Sequence, residues 1–288
     1  MLTTTRRSWM WNSHRILCCQ RLIAARLMCK RSLVISNGDL TLVAPPHLHL
    51  RCYSWTGELS ANVAALVSVL SQGGGTFLDV GAFAGQHSQR AVIASNGTMR
   101  VIAFEPDPVA RALLVMNLNE SGIASAVTVR PEAVSDRTSH APFLVANVPS
   151  LSGLETSAPG EGIVIPTIDL LDLVEEYEPT LIKMDVEGHE RALLKRLRSL
   201  DPQRLPVIIA ENNPGALAAA ESLGVSIRST ADIFPAHVHL SNLSDDLLLL
   251  PPHLGDASRI QAQANNELER ILNVTSIRYQ PYRPPSAD

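Results

Sequence analysis

Phe77 to Gly85 reads FLDVGAFAG, and Ala103 to Pro108 reads AFEPDP. The first stretch is an apolar run that ends in Asp79 and passes into a small-residue turn holding Gly81 and Gly85. The second closes another apolar run, Arg100 to Phe104, with Glu105. A strand, a glycine-containing turn, a helix and a second strand tipped with an acid make half of a nucleotide-binding βαβ unit. Glycine lets the backbone pass close to a ligand, and the start of the next helix offers unpaired N–H groups. An acid at the second strand tip accepts hydrogen bonds from both hydroxyls of a ribose.

Spacing selects the nucleotide. A dinucleotide site uses G-x-G-x-x-G, with the pyrophosphate against the helix start. Here the pattern is Asp79-x-Gly81-x-x-x-Gly85. The middle glycine is missing, and the acid before the turn repels a pyrophosphate. That acid suits a ligand with a positive group, such as the ammonium of a methionine moiety. With Glu105 one βα unit later, the pattern points to S-adenosylmethionine. A nicotinamide-dependent oxidoreductase is the alternative that both features count against. A generic α/β turn, with the glycines serving only packing, is the plain structural alternative.

A third stretch, Leu181 to Glu190, reads LIKMDVEGHE, and Glu132 to Asp136 reads EAVSD. Together with LDVGAFAG and FEPDP they resemble the FkbM-type methyltransferase family. The K-x-D-V-E-G-x-E element falls on Lys183, Asp185, Val186, Glu187, Gly188 and Glu190, and the resemblance runs from about Asn37 to Pro252. It implies a class I methyltransferase-like, Rossmann-like fold, with an antiparallel hairpin at the sheet edge. It also implies S-adenosylmethionine-dependent O-methylation of hydroxyls on sugars, glycoconjugates or natural products. A methyltransferase-like module that binds without catalysis is a further alternative, against which the intact Asp79, Gly81, Glu105 and Asp185 set argues.

Between these motifs apolar runs of four to six residues alternate with helical patterns. That alternation predicts a doubly wound, mostly parallel α/β sheet. Strands are expected at 76–80, 100–104, 127–133, 180–184 and 207–210, then near 225–228 and 247–250, seven in all. Helices are expected at 58–70, 86–95, 108–119, 169–177, 188–200 and 216–223. Asp39 to Leu50 reads as a short β-rich lead-in with a Pro45-Pro46 turn. Residues 135–162 lack periodicity and are rich in Ser, Pro and Gly, which reads as a lid or binding loop. We divide the chain into a basic extension (1–36), a methyltransferase domain (37–254), and a polar helix with a disordered tail (255–288).

Aromatic residues make up only 4% of the chain, which leaves little material for base-stacking platforms. Residues 1–38 hold seven of the 24 basic residues and no acid; the rest carries 17 basic against 28 acidic residues, a net of −11. Nucleic acid is therefore not an expected partner. The expected acceptor is a small molecule or glycan. Residues 6–31 interleave arginine with apolar side chains, as in a membrane-surface arm or transit segment. A non-native extension or disordered arm is the competing reading. Arginines interrupt every apolar stretch there before it reaches spanning length. All four cysteines (Cys18, Cys19, Cys29, Cys52) precede the enzyme-like part, so thiol catalysis is not expected. A reducing, cytoplasmic setting follows.

Ligands of a parallel sheet gather at the C-terminal strand ends. Asp79, Gly81, Ala82 and Gly85 are expected at the methionine end of the cofactor, Glu105 and Pro106 at the ribose, and Glu132 and Ala133 at the adenine. Asp185 is the first candidate for chemistry. Asp185 or His189 is expected to take the hydroxyl proton, and Lys183 to steer a carboxylate or tune Asp185. Glu187 and Glu190 fit either a helix start or a catalytic role. His87, at a helix start, faces either the ligand or solvent. Asp185, Glu187, Glu211 and Asn212 carry hard oxygens, but D-x-E spacing is too common to assign a metal. His237 and His239 read as structural or solvent-facing.

Overall fold

The computed structural model describes residues 33–37, 40–44, 60–146, 151–154, 159–235, 244–254, 257–272 and 278–281. The basic segment at 6–31, the four cysteines, His237, His239 and residues 282–288 lie outside the described residues.

In chain order the elements begin with β1 (Leu33–Asn37), β2 (Leu40–Ala44), α1 (Ala61–Ser71), β3 (Gly75–Val80), α2 (Gln86–Ala94), β4 (Met99–Phe104), α3 (Pro108–Glu120) and β5 (Val127–Arg130). Next come β6 (Ala133–Ser135), β7 (Ser139–Ala146), β8 (Gly160–Asp169), α4 (Leu170–Tyr177), β9 (Leu181–Met184), α5 (Glu190–Arg196) and β10 (Val207–Glu211). The last are α6 (Pro214–Ala220), β11 (Ser226–Ser229), α7 (Thr230–Ile233), β12 (Asp246–Leu250), α8 (Ala257–Leu272) and β13 (Arg278–Pro281).

Seven strands form the central sheet, in the order β11-β12-β10-β9-β3-β4-β5. β10, β9, β3, β4 and β5 are parallel, while β12 runs antiparallel to both β10 and β11. This is the doubly wound, class I methyltransferase-like sheet with its antiparallel edge hairpin. Alternation builds it. Phe77, Val101 and Ala103 face a core shared with α1, α2, α3 and α8. Leu78, Val80, Ile102 and Phe104 face the opposite core, shared with α4, α5 and α6. Each large side chain buried this way contributes about 1.5–3 kcal/mol. No described helix is long and apolar enough to cross a membrane.

Several expectations need correction. Residues 135–162 are not one long loop: β7 and β8 pair antiparallel from Ser139↔Thr167 to Ala146↔Gly160, and with β6 they form a separate three-stranded sheet. The expected strand at 127–133 is broken, ending as β5 at Arg130 and resuming as β6 in that other sheet. Pro131 lies at the break and has no N–H to offer a ladder. The helix expected from Gly188 or its neighbour begins at Glu190 and gives way to a 3-10 turn at Leu197–Ser199. Its delayed start has a local cause, because Glu187 and Gly188 both adopt positive φ (53° and 106°). β1 and β13 were not expected. β1 pairs antiparallel with both β2 and β13 (Arg278–Pro281), so the start of the tail expected to be disordered from Tyr279 forms a strand. α8 is polar on one side only, and it buries Ala264, Leu268 and Ile271 in the core.

Candidate active site

The turn after β3 is held from three sides. Gly81 and Ala82 both donate their N–H to the Phe104 carbonyl, each at 3.0 Å, which hangs the turn on the tip of β4. Gly81 has φ +76°, and a Cβ built on it would lie 1.9 Å from the Asp185 carbonyl oxygen. Only glycine lets the tips of β3 and β9 approach this closely. Phe83, at φ +47°, donates its N–H to Glu105 Oε2 at 2.7 Å. Glu105 Oε1 accepts from the Asp107 N–H at 2.9 Å. Asp107 in turn caps α3 by accepting from the N–H groups of Val109 and Ala110.

A cavity of about 220 Å³ opens above this turn. Of the residues expected from the sequence, Gly81, Ala82, Glu105, Pro106, Ala133, Lys183, Asp185 and His189 line it. Asp79, Gly85 and Glu132 do not. Asp79 is fully buried below the turn. Gly85 ends the turn at φ +78° and packs against Leu114 of α3. Glu132 accepts two hydrogen bonds from its neighbour Arg130, at 3.0 and 2.7 Å, which hold its carboxyl below the usual range. The cavity also takes in residues that the sequence reading passed over: Ser60, Phe83, Ala84, Val134, Phe143, Ser152, Gly153 and Leu154. One physical signal marks part of this wall. Of the five non-glycine residues with positive φ among the described residues, Ser60, Phe83 and Glu187 line the cavity. Such strain gathers at functional sites.

Lys183 is the electrostatic centre. Parallel register places it beside Asp79 on the adjacent strand. Its ammonium donates to the Gly81 carbonyl at 2.8 Å and lies 3.2 Å from Asp185 Oδ2 and 3.7 Å from Asp79 Oδ1. Burial works against its charge, but Asp185 and Asp79 together raise its pKa. Asp79 also accepts from Ser88 Oγ at 2.6 Å; burial nevertheless raises its pKa more than Lys183 and Ser88 lower it. The positive group facing Asp79 is thus supplied by the chain itself, where the sequence pointed to a cofactor ammonium.

Further acids surround this centre. Burial pushes Glu105 up to about 7. Burial, then the charges of Asp185, Glu211 and Glu190, push Glu187 up to about 8. Glu211 and Asp246 rise to about 7, burial again first. Glu190 is fully buried and shapes the turn, accepting from the N–H groups of Val186 and Gly188 and from Asn213 Nδ2. His87 is kept neutral: burial and the charges of Lys183 and Arg90 hold its pKa well below the ordinary value. His189 Nε2 lies 3.1 Å from Ser135 Oγ. Among the described residues no group of three or more His, Cys, Asp or Glu is placed to hold a metal ion.

The family model for the methyltransferase FkbM domain matches residues 79–229, more than half of the chain. The chain belongs to the FkbM methyltransferase domain family. The matched FkbM span starts at Asp79 and contains every cavity-lining residue except Ser60. Among solved structures, an FkbM methyltransferase from Methylobacillus flagellatus KT is similar at 19% identity and a TM-score of 0.43. That likeness covers 61% of this chain and 43% of the other, so this chain spans less than half the length of that protein. An O-methyltransferase from Bacillus cereus, solved with SAH, is similar at 14% identity and a TM-score of 0.38, covering 66% of this chain and 78% of that one. No curated protein matches this FkbM-family chain.

Proposed function

We propose that this FkbM-family chain is an S-adenosylmethionine-dependent O-methyltransferase that methylates a hydroxyl on a sugar, glycoconjugate or natural product. One observation carries this reading. A single cavity brings together the turn at Gly81–Ala84, the carboxylate of Glu105 and the carboxylate of Asp185.

The lining fits the cofactor. Each Glu105 oxygen takes one backbone N–H and keeps a second acceptor position for a ribose hydroxyl. Phe104, Ala133, Val134 and Phe143 give the apolar wall that a flat heteroaromatic ring needs. When bound, S-adenosylmethionine supplies an electrophilic methyl group on a sulfonium centre. The work of the chain is to position the acceptor and remove its proton. Asp185 takes that proton: its side chain is 46% exposed, and the Lys183 ammonium lies 3.2 Å from it. His189 is the less suitable base, being buried and engaged with Ser135. The acidic balance of the chain outside residues 1–38 favours a small or glycan acceptor over a nucleic acid.

The test is a calorimetric titration of the full chain with S-adenosylmethionine and S-adenosylhomocysteine, beside Glu105→Ala and Asp185→Asn. Expected are binding by the wild type, loss in Glu105→Ala, and near-normal binding in Asp185→Asn. Transfer of labelled methyl to an acceptor panel follows, with turnover down about 100-fold or more in Asp185→Asn. A folded wild type that binds neither compound overturns the proposal. Binding without transfer to any hydroxyl favours the non-catalytic module.

A further inference from the structure

The turn at Gly81–Gly85 carries a buried attachment on the side away from the cavity. Asn117, on α3, is fully buried. Its Nδ2 donates to the Ala84 carbonyl at 2.7 Å, and its Oδ1 accepts from the Val43 N–H of β2 at 2.6 Å. One side chain therefore bonds a cavity-lining residue of the turn and a strand of the accessory sheet. That sheet, β13-β1-β2, joins the first and last described stretches of the chain. Apolar contacts run alongside: Val43, Ala84 and Leu113 form one small buried cluster, with Val34, Phe83 and Met116 packed against it. A second polar link lies next to it, with Ser121 Oγ 2.7 Å from Gln89 Oε1 on α2 and 3.1 Å from the Thr41 carbonyl on β2.

The turn needs such support. Phe83 holds φ +47°, which a non-glycine residue keeps only when its surroundings impose it. Its own N–H bond to Glu105 fixes one side of the turn. The Ala84 carbonyl lies one residue further along the turn, and without Asn117 it is a buried acceptor that must find another partner.

We infer that Asn117 is a positioning residue that couples the accessory β13-β1-β2 sheet to the cofactor turn, so that docking of this sheet sets the shape of the ligand-binding backbone. The cofactor half of this inference rests on the S-adenosylmethionine reading. The mechanical half does not. Asn117→Asp separates the two bonds, keeping the acceptor for Val43 and replacing the donor to Ala84 by an oxygen that repels it. Asn117→Leu removes both.

Amide hydrogen exchange on the full chain reads the joint directly. The Phe83 and Gly85 N–H groups, bonded to Glu105 and Ala82, report the turn, and the Val43 N–H reports the sheet. Leu268→Ala, in the core contact of α8, serves as a control for lost stability alone. Asn117→Asp is expected to speed exchange at Phe83 and Gly85 about tenfold while Val43 stays protected, and to weaken S-adenosylhomocysteine by about tenfold. Asn117→Leu is expected to release Val43 as well. If both variants lower the melting temperature but their turn exchange and affinity follow the Leu268→Ala control, the coupling is absent. If the wild type does not bind S-adenosylhomocysteine, the cofactor reading fails, and the exchange pattern still decides whether the joint exists.

Discussion

The floor and the roof of the cavity are built on different principles. The floor is the tips of β3, β4 and β9, where backbone register and close approach dictate the residue types. Gly81 must be glycine because the Asp185 carbonyl occupies its Cβ position. Glu105 is tied by two backbone N–H groups, and Lys183 faces Asp79 by strand pairing. The roof includes Phe143, on β7 of a separate small sheet, and the segment Ser152–Leu154, which is bridged to that strand at Leu144↔Gly153. Besides one backbone bridge, in which Leu144 and Gly153 exchange N–H···O=C bonds at 3.0 and 3.1 Å, it is anchored by side-chain tethers: Ser152 Oγ donates to Asp107 Oδ2 at 2.7 Å and accepts from the Ala146 N–H at 2.9 Å. A floor built this way is expected to fail sharply when altered, and the roof to yield by degrees.

The largest effect is expected at Gly81. Gly81→Ala forces the tips of β3 and β9 apart at a backbone already at φ +76°, and we expect a loss of about 3 kcal/mol or more with loss of cofactor binding. Gly122→Ala sharpens the contrast. Gly122 has a similar φ of +70° but nothing within 4 Å of the added Cβ, so only the conformational cost of about 1–2 kcal/mol remains. Urea unfolding of both variants measures the difference. Equal losses would show that close approach does not govern the floor.

Lys183→Met is next, because it leaves Asp79 buried opposite no positive charge. Breaking a buried pair typically costs about 3–5 kcal/mol. Asp79 is already raised by burial and rises further once Lys183 is gone, so it takes up a proton more readily in the variant. The loss is therefore expected to be larger at pH 8 than at pH 5. Adding Asp79→Asn should recover part of the stability. A penalty independent of pH and unaffected by the second substitution would remove Lys183 from the electrostatic centre.

The pH response of the site is led by four carboxyl groups; Asp79, also raised by burial, acts in the same direction, and His87, whose pKa burial lowers, opposes them up to its ordinary value of 6.5. Glu105, Glu211 and Asp246 titrate at about 7 in the folded chain and Glu187 at about 8, against ordinary values of 4.5 for Glu and 3.8 for Asp. Between the unfolded and folded values the native state binds more protons, so stability falls as pH rises. The ligand-free protein is expected to lose melting temperature towards pH 8, most steeply above about pH 6.5, where His87 no longer offsets the carboxyl groups. Glu187→Gln flattens the upper end of that slope, and Glu105→Gln the middle. A melting temperature that rises over this range would contradict the burial of these groups.

The same division explains what could be read from the sequence. The central sheet and its rim were legible because β3, β4 and β9 are short, apolar and tipped with acids or glycine, and each of those types answers a backbone requirement. The roof was hidden. In β8, Ile165, Thr167 and Asp169 are buried while Val164 and Pro166 are exposed, so an exposed valine masks the period of two and the proline reads as a breaker. Pro166 is tolerated because β6 pairs only with Thr167–Asp169, which leaves that side of it without a ladder partner. Asp79 stands near the end of β3, and the register of β3 with β9 sets Lys183 beside it. A sequence shows that a buried acid needs a counter-charge, and only strand register shows that Lys183 provides it.

The smallest expected effect tests the roof. Ser152→Ala removes the donor to Asp107 and the acceptor for Ala146, both at the edge of the cavity. Each is a single partly buried bond, worth about 0.5–1.5 kcal/mol net. Asp107 keeps its capping bonds to Val109 and Ala110 through its other oxygen, so α3 and the Glu105 tip stay in place. The loss should therefore fall on the roof alone. Melting temperature should shift little, and S-adenosylhomocysteine should weaken about two- to fivefold, consistent with a tether worth about 0.5–1 kcal/mol. Ser152→Thr keeps the hydroxyl and should restore most of the affinity. If Ser152→Ala abolishes binding as completely as Gly81→Ala, the roof is as rigidly required as the floor and the contrast between them collapses.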